Sequence, residues 1–297
     1  FLITPIMPFI LQWERPEYRA TAAAFAFSVN SLSLTLGSLI GGWSPRLFSS
    51  LFDFEIQSVE SYRLALLLGL GVAAIGLIPM YRMVDARLRS GEDEGEFAAL
   101  PELPPTRQQV RRDIMVFAGA TGIFALGVGA IMPFYNVYLN SIGARPSRIG
   151  MVFALAGVVA AIVCLLVPVL AKRFGDLNTL FWLRLAPAPF FLLLLLTPNL
   201  VVAAIAHIMR TATTSMSWPL DSGVASQVLP PRARASGFSI RSGFWNLGYA
   251  ISSLIAGAVI VTWGYGPTFV AFAVCSAVSA GLFVQYFRSH PRRQNLR

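Results

Sequence analysis

The chain has 297 residues, of which 56% are hydrophobic and only 12% are charged, and its mean hydropathy is +0.65. A soluble globular domain carries about 25% charged residues, so this composition excludes an ordinary soluble protein and indicates a bundle of helices in a lipid bilayer. The net charge of +9 is explained by membrane topology, since no basic stripe with interleaved aromatic residues predicts nucleic-acid binding.

Hydrophobic runs long enough to span a bilayer recur along the whole chain. A spanning helix needs about 20 mostly apolar residues. The opening residues 1–11 have no initiator Met and no charged region before them, so we interpret them as the tail of a helix whose start is missing. Seven later runs satisfy the length criterion, and an eighth is shorter and contains Arg184. The seven are 20–44, 62–84, 113–139, 149–171, 200–227, 237–262 and 267–287, and the eighth is 178–197.

Basic residues are concentrated in alternate connecting segments. The segments of one side carry fifteen Lys and Arg residues, whereas those of the other side and its helix mouths carry four. The basic segments are 12–19, 85–112, 172–176, 228–236 and 288–297. Because Lys and Arg collect on the cytoplasmic side, we expect the tail and the 85–112 loop to be cytoplasmic, with the protein in the plasma (inner) membrane. Residues 85–112 are acidic, rich in proline and poor in aromatic residues, which predicts a flexible linker.

An internal repeat relates two parts of the chain at an offset of 215 residues. Pro16-x-x-Arg19-Ala20 aligns with Pro231-x-x-Arg234-Ala235, and without a gap Leu36–Gly42 then aligns with Ile251–Gly257. Each copy has a cytoplasmic Pro/Arg loop followed by a span with small residues four apart, a spacing that lets helices approach closely. Both copies enter the membrane from the same side, so the sequence predicts two halves related as parallel repeats.

This arrangement resembles the major facilitator superfamily. Two local patterns resemble the family as well. One is the basic, glycine-containing loop at Lys172, Arg173, Gly175 and Asp176, and the other is the segment 133–150 at the first turn of the second half.

The resemblance implies an all-α membrane bundle of about eight full spans plus a partial one, without roughly the first three or four helices. It also implies that 1–84 is the end of the first half, 85–112 the central linker, 113–287 the six-helix second half and 288–297 a basic tail.

Arg210 is the most informative charge in the predicted spans. It lies about ten residues into the run 200–227, near the bilayer midplane, and His207 is on the same helical face. Charges in the hydrocarbon layer are costly and mark functional sites. Arg210 either binds an anionic group of a solute, or is a structural residue paired with carbonyl groups or with an acid elsewhere in the protein.

Asp221 and Arg241 are each ten residues from position 231, which places them at equal depth across a helical hairpin. We expect them to form an ion pair. The pair either holds the hairpin together or acts as a cytoplasmic gate that opens during transport, and the sequence does not separate these two roles.

Uncharged polar and aromatic residues are further candidates for a solute cavity. Asn246 and Asn30 lie near mid-depth in the repeat-related spans, where hydrogen bonding between helices is the alternative role. Trp218 precedes Pro219 and marks a point where the span is expected to break. Tyr135 and Asn136 lie near the outer mouth, where tyrosine is also common at the bilayer interface.

No enzyme motif, cofactor motif or metal-ligand spacing is present, and Cys164 and Cys275 lie in apolar runs as packing residues. Two functions remain open: secondary active transport by alternating access, or a membrane sensor or assembly factor that does not transport. The expected partners are the lipid bilayer and a small solute, with or without a coupling ion, and the expected state is a monomer.

Overall fold

The computed structural model describes residues 18–52, 59–82 and 106–290. Within these ranges the regular structure is entirely helical. The first two helices are α1 (Arg19–Phe52) and α2 (Val59–Arg82). The later ones are α3 (Arg107–Ile131), α4 (Tyr135–Ser141), α5 (Pro146–Cys164), α6 (Val167–Phe174), α7 (Asp176–Leu185), α8 (Ala188–Leu196), α9 (Leu200–Val228), α10 (Pro231–Trp263) and α11 (Gly266–Arg288).

The prediction of an all-α membrane bundle is confirmed. Among the described residues, four helical segments are long and apolar enough to span a membrane, and a bent pair makes a fifth if it is counted as one span. The four are Arg107–Ser141, Asp176–Leu196, Ala233–Trp263 and Gly266–Arg288, and the pair is Arg148–Cys164 with Val167–Phe174. Helix α9 has 29 residues but is absent from this set, because Arg210, His207 and several hydroxyl groups lower its hydropathy.

Two helices extend beyond the apolar runs that predicted them. Helix α1 continues to Phe52 rather than ending at residue 44, and α3 begins at Arg107 rather than at 113. The side chain of Thr106 accepts a hydrogen bond from the backbone N–H of Gln109 at 3.3 Å, so the helix is capped before the charged residues Arg111 and Arg112. Hydrophobicity locates the part of a helix inside the bilayer, whereas hydrogen bonding determines where the helix itself ends.

Proline residues bend one predicted span and interrupt the helix of another. The run 149–171 is not one straight helix, because α5 and α6 meet at an angle of 53°. Pro168 has no N–H to donate to the carbonyl group of Cys164, and Leu165 and Leu166 donate instead to residues three positions earlier. The helix of the run 178–197 is interrupted near Pro187, because α7 ends at Leu185 and α8 begins at Ala188, although Asp176–Leu196 still counts as one span.

The expected break at Trp218 and Pro219 is absent, because α9 is continuous from Leu200 to Val228. Pro219 leaves the carbonyl group of Ser215 without its usual helical donor. The thiol of Cys164 in α5 donates to that carbonyl oxygen at 3.6 Å. A neighbouring helix therefore satisfies the freed acceptor, which allows the proline to remain inside a straight helix.

Helices α3 and α10 approach closely along a line of small residues. A Cβ atom added to Gly129 would lie 2.5 Å from the carbonyl oxygen of Tyr249, and one added to Gly248 would lie 2.6 Å from that of Gly122. The hydroxyl group of Ser253 shares its proton between the carbonyl oxygen of Tyr249 in its own helix, at 2.7 Å, and that of Gly129, at 3.1 Å. Pro133 leaves this carbonyl without its helical donor, so the small residues permit both close packing and a hydrogen bond between the helices.

The described residues fall into two compact units, one containing 18–35 with 106–290 and the other containing 36–52 with 59–82. In the first unit, the start of α1 packs against α5. Ser28 donates to the carbonyl oxygen of Ala161 at 2.7 Å, and the side chain of Thr35 lies against Gly157. In the second unit, large apolar side chains of α2 are exposed, with Leu66 and Leu70 among them.

The first unit has the inside-out polarity of a membrane protein. Leu254 is 80% exposed and Val261 is 87% exposed on α10, whereas Arg184, Asp221 and Arg241 are buried. In water this distribution would be strongly unfavourable, because apolar groups would be hydrated while charges would be desolvated. The chain is therefore an integral membrane protein, with lipid around its apolar outer surface.

Candidate functional site

Five polar residues lie on one face of α9 and form what we call the polar stripe: His207, Arg210, Thr214, Ser217 and Asp221. Their spacing of three and four residues alternates along the helix, which places them one above another on the same side. The stripe covers almost four helical turns of a segment whose other residues are mostly apolar or small. It therefore provides a continuous polar surface within the bundle.

At one end of the polar stripe, Asp221 lies between two arginine residues from other helices. Arg184 of α7 donates from Nη2 to Asp221 Oδ1 at 2.8 Å, and Arg241 of α10 donates from Nη2 to Asp221 Oδ2 at 3.0 Å. All three side chains are buried. We call these residues the charge cluster, which links α7, α9 and α10.

Further side chains accept hydrogen bonds from the two arginines of the charge cluster. Arg184 Nη1 donates to Ser279 Oγ at 3.0 Å, and Ser279 Oγ donates to the carbonyl oxygen of Ala120 at 2.7 Å. Arg241 Nε donates to Thr121 Oγ1 at 3.4 Å. The network thus extends from α9 to α3 and α11, so five helices share one set of polar contacts.

Aromatic rings surround both guanidinium groups of the charge cluster. Arg184 lies 4.6 Å from the ring centroid of Phe283, and Arg241 lies 4.2 Å from that of Trp218 and 5.2 Å from that of Phe117. Two guanidinium groups and one carboxylate leave the cluster with one excess positive charge. The negative faces of the rings stabilise this excess charge in a place that water reaches poorly.

A small pocket lies beside the charge cluster. The residues that line it are Thr121, Phe124, Arg184, Thr214, Ser217, Trp218, Asp221, Arg241 and Trp245. Trp218 and Trp245 are in edge contact, with ring centroids 5.7 Å apart, and Trp218 also stacks on Phe27 of α1 at 6.1 Å. The pocket thus combines hydroxyl groups, charges and aromatic surface.

Arg210 lies in the middle of the polar stripe and has a different environment. Its Nη2 donates to Thr211 Oγ1 at 2.9 Å, whereas its Nε is buried without a hydrogen-bond partner. Within the part of the chain that the structure describes, no carboxylate forms an ion pair with Arg210. Its charge is therefore balanced neither by an acid nor by a full set of acceptors among these residues.

His207 packs between two aromatic rings. Its ring stacks on Tyr135 at 5.2 Å and contacts Phe153 at 4.2 Å, and the residue is only 3% exposed. Tyr135 is buried too, and its hydroxyl group donates to the carbonyl oxygen of Ala203 at 2.7 Å. Tyr135 therefore packs against His207 in the core, whereas Asn136 is exposed, and the expectation that these two residues line a cavity near the outer mouth stays a prediction.

The two predicted asparagine residues are less closely integrated. Asn246 is exposed and donates to the carbonyl oxygen of Ser242 in its own helix at 2.8 Å. It makes no hydrogen bond to another helix among the described residues, so the expected role between helices is not seen there. Asn30 is half-buried on α1, and the role of both residues stays a prediction.

The loop that resembles the family motif is a tight turn between α6 and α7. Lys172 and Arg173 are exposed, and Gly175 has a φ of 79°, a conformation that favours glycine. Asp176 accepts a hydrogen bond from Gln227 Nε2 at 3.3 Å, which links the turn to the end of α9. No group of three or more potential metal ligands occurs in the described ranges.

Thr214, Ser217 and Arg184 belong to the site although none was predicted as a site residue from the sequence, and Arg184 is the charged one among them. A charge inside a predicted span was the available signal, since such residues mark functional sites. The partner of Arg184 could not be identified from the sequence, because Asp221 was already paired with Arg241 at the same predicted depth. Pairing Arg184 with the same carboxylate depends on how α7 packs against α9, which has no signature in the sequence.

Most of the chain matches one known protein family. A family model with the description Major Facilitator Superfamily matches residues 1–220. The match includes α1 and α2, the linker and the later helices as far as Leu220, one residue before Asp221. No curated protein matches the chain.

Proposed function

Because this chain belongs to the Major Facilitator Superfamily, we propose that it is a secondary active transporter that moves a small solute by alternating access. In this mechanism two halves of the protein rock about a central site, which is open first to one side of the membrane and then to the other. A gradient of the solute or of a coupled ion drives the cycle. The functional unit in this proposal is a monomer in the plasma membrane.

The observation that carries the proposal is the polar stripe on α9. A bundle that only had to be stable in lipid would bury apolar residues at these positions, since polar groups in the hydrocarbon layer are unfavourable. Here the stripe includes three buried polar atoms without hydrogen-bond partners among the described residues, on His207, Arg210 and Thr214. Such groups fit a site that a solute enters and leaves.

The charge cluster has a separate role in this proposal. Asp221 joins α7, α9 and α10 in one body, so these helices move together when the two halves rock. The alternative proposal is a cytoplasmic gate, in which the contact between Asp221 and Arg241 breaks during each cycle. The additional contact with Arg184 favours the first role, because opening a gate at Arg241 would still leave the carboxylate bound to Arg184.

The orientation follows from the distribution of charge. We place the basic tail and the 85–112 loop in the cytoplasm, since fifteen Lys and Arg residues lie on that side against four on the other. Accessibility labelling of single cysteine variants at Arg288 and at Asn140 in intact cells tests this placement. If a reagent that does not cross membranes labels Arg288→Cys in intact cells, the tail lies outside and the assigned orientation is wrong.

Transport is tested by reconstituting the protein in liposomes and measuring uptake of radiolabelled solutes. Arg210→Ala is expected to lower uptake at least about tenfold, which corresponds to the loss of about 1.4 kcal/mol of interaction, while membrane insertion stays normal. Arg288→Ala is the matched control, because this arginine is exposed at the end of α11. Wild-type uptake by the Arg210 variant would refute its assigned role.

A sensor or assembly factor is the competing function. It predicts no flux with any class of solute together with a stable complex that co-purifies with the protein. Flux that saturates with solute concentration and disappears when the gradient is dissipated would exclude it.

A further inference from the structure

Three unpartnered polar atoms lie within two turns of α9. They are Nδ1 of His207, Nε of Arg210 and Oγ1 of Thr214, all buried and without a hydrogen-bond partner among the described residues. The residues are three and four positions apart, so their side chains emerge from the same face of the helix. Buried polar groups in native proteins are almost always paired, and three exceptions at one place indicate a bound group that completes them.

Charge determines what kind of group this is. The polar stripe and the two arginines that contact it contain three guanidinium groups, on Arg184, Arg210 and Arg241, but one carboxylate, on Asp221. Asp221 is already shared by Arg184 and Arg241, so it offers no neutralisation to Arg210. A lone cation in the membrane interior costs at least about 2.5–3.5 kcal/mol, and an anion beside Arg210 would remove this penalty.

The donors match a carboxylate in number and in chemical type. The Nε–H of Arg210 and the hydroxyl group of Thr214 each donate one hydrogen bond, and His207 adds a third when its proton is on Nδ1. Charge-assisted hydrogen bonds from arginine to a carboxylate are short and strong. A neutral hydroxyl or amide ligand would satisfy some of these donors but would leave the charge of Arg210 uncompensated.

The surroundings also suit the organic part of such a ligand. His207 is flanked by Tyr135 and Phe153, and Thr214 lines the pocket that contains Trp218 and Trp245. These rings provide apolar surface next to the donors. A carboxylate bound to the donors would therefore place its carbon skeleton against aromatic side chains, and small-molecule sites generally combine such apolar surface with a few polar groups.

We propose that His207, Arg210 and Thr214 bind the carboxylate group of a small organic anion, and that this anion is the transported solute. The second clause rests on the proposed transport function, whereas the first concerns binding alone. One bound carboxylate neutralises Arg210, and it leaves the charge cluster with its own excess charge, which the aromatic rings stabilise.

Thermal unfolding of the purified protein in detergent tests binding without any transport assay. The probes are matched pairs of acid and amide: sodium benzoate with benzamide, sodium phenylacetate with phenylacetamide, and sodium lactate with lactamide. At least one acid is expected to raise Tm by several degrees at saturating concentration, whereas its amide leaves Tm unchanged. The change in Tm with sodium chloride at equal concentration is subtracted, since it measures the effect of ionic strength alone.

Variants then locate the binding site. Arg210→Gln is expected to weaken acid binding at least tenfold, and Arg210→Lys to retain part of it, since lysine keeps the charge but lacks the planar fork of donors. Thr214→Val is expected to weaken binding several-fold. Arg288→Gln is the matched control and is expected to bind the acid as the wild type does, because Arg288 lies at the exposed end of α11.

The outcomes separate the binding proposal from the transport proposal. Equal stabilisation by acid and amide, no stabilisation by any acid, or unchanged binding in Arg210→Gln would each overturn the anion site. Acid binding that depends on Arg210, without any flux of the bound acid, would reject transport but keep the site. Flux of a neutral solute that Arg210→Gln leaves unchanged would keep transport but reject the anion.

Discussion

Arg184 and Asp221 are 37 residues apart in the chain, yet Arg184 Nη2 lies 2.8 Å from Asp221 Oδ1 and both side chains are almost fully buried. Arg241 occupies the other oxygen of the same carboxylate. Asp221 is therefore the single anion that holds two cations in the membrane interior. This asymmetry makes the effects of substitution within the charge cluster unequal.

Asp221→Asn is expected to lower the free energy of unfolding by about 3–5 kcal/mol, because it leaves two buried guanidinium groups without a counter-charge. Reversible denaturation in mixed detergent micelles measures this change. Asp176→Asn is the matched control, since Asp176 is at the start of α7 and has one 3.3 Å contact with Gln227. An effect of Asp221→Asn no larger than that of the control would contradict the assigned role.

Arg184→Met is expected to cost less than Asp221→Asn, about 1.5–3 kcal/mol, because Asp221 keeps Arg241 as its partner and the cluster becomes neutral. Methionine fills much of the space beside Phe283. The same denaturation measurement gives the comparison. If Arg184→Met proves more harmful than Asp221→Asn, the excess positive charge is not the feature that limits the stability of the cluster.

Gly129→Ala is expected to destabilise the protein by about 1–3 kcal/mol through overpacking, because the new Cβ atom would lie 2.5 Å from the carbonyl oxygen of Tyr249 and 2.8 Å from its Cα. These are backbone atoms, so α10 would have to move away from α3. Gly119→Ala in the same helix has no neighbour within 4 Å of its Cβ, and we expect it to be neutral or stabilising by up to about 1 kcal/mol. Thermal unfolding of the two variants side by side distinguishes close packing from a general effect of glycine in α3, and equal Tm values would refute the close approach.

Tyr135→Phe and Tyr138→Phe make a matched pair, because the two rings are 5.8 Å apart and both residues are buried. The hydroxyl group of Tyr135 donates to Ala203, whereas that of Tyr138 has no partner among the described residues. Tyr135→Phe is expected to cost about 0.5–1.5 kcal/mol, and Tyr138→Phe to be neutral or stabilising. The opposite order of unfolding midpoints would show that the two hydroxyl groups are misassigned.

The membrane-spanning character of the chain follows from local information. The number of consecutive apolar residues determines whether a segment prefers lipid, so the later spans are recognisable in the sequence without any knowledge of their neighbours. The bend at Pro168 and the interruption of the helix near Pro187 were not predicted. At Trp218 and Pro219 the sequence indicated a break, yet α9 is continuous there. The thiol of Cys164 in another helix donates to the carbonyl oxygen that Pro219 leaves without a helical donor.

The candidate site was only partly predictable for the same reason. Symmetric placement about position 231 indicated that Asp221 and Arg241 lie at equal depth, and helical periodicity put His207 and Arg210 on one face. Neither helical periodicity nor symmetric placement indicates which neighbouring helix each side chain contacts. Arg184 was therefore missed as a partner of Asp221, and the packing of Tyr135 against His207 was not predicted.

The sequence by itself determined the membrane location, the helical class and the positions of the charged residues along their helices, because each depends on the order of residues along one segment. Only the tertiary structure decided which charges meet, which carbonyl groups freed by proline find donors, and which polar atoms on α9 remain without partners. Those outcomes depend on the rotation and contact of helices that are distant in the chain. Packing between small residues sets that geometry, and no periodicity within a single helix encodes it.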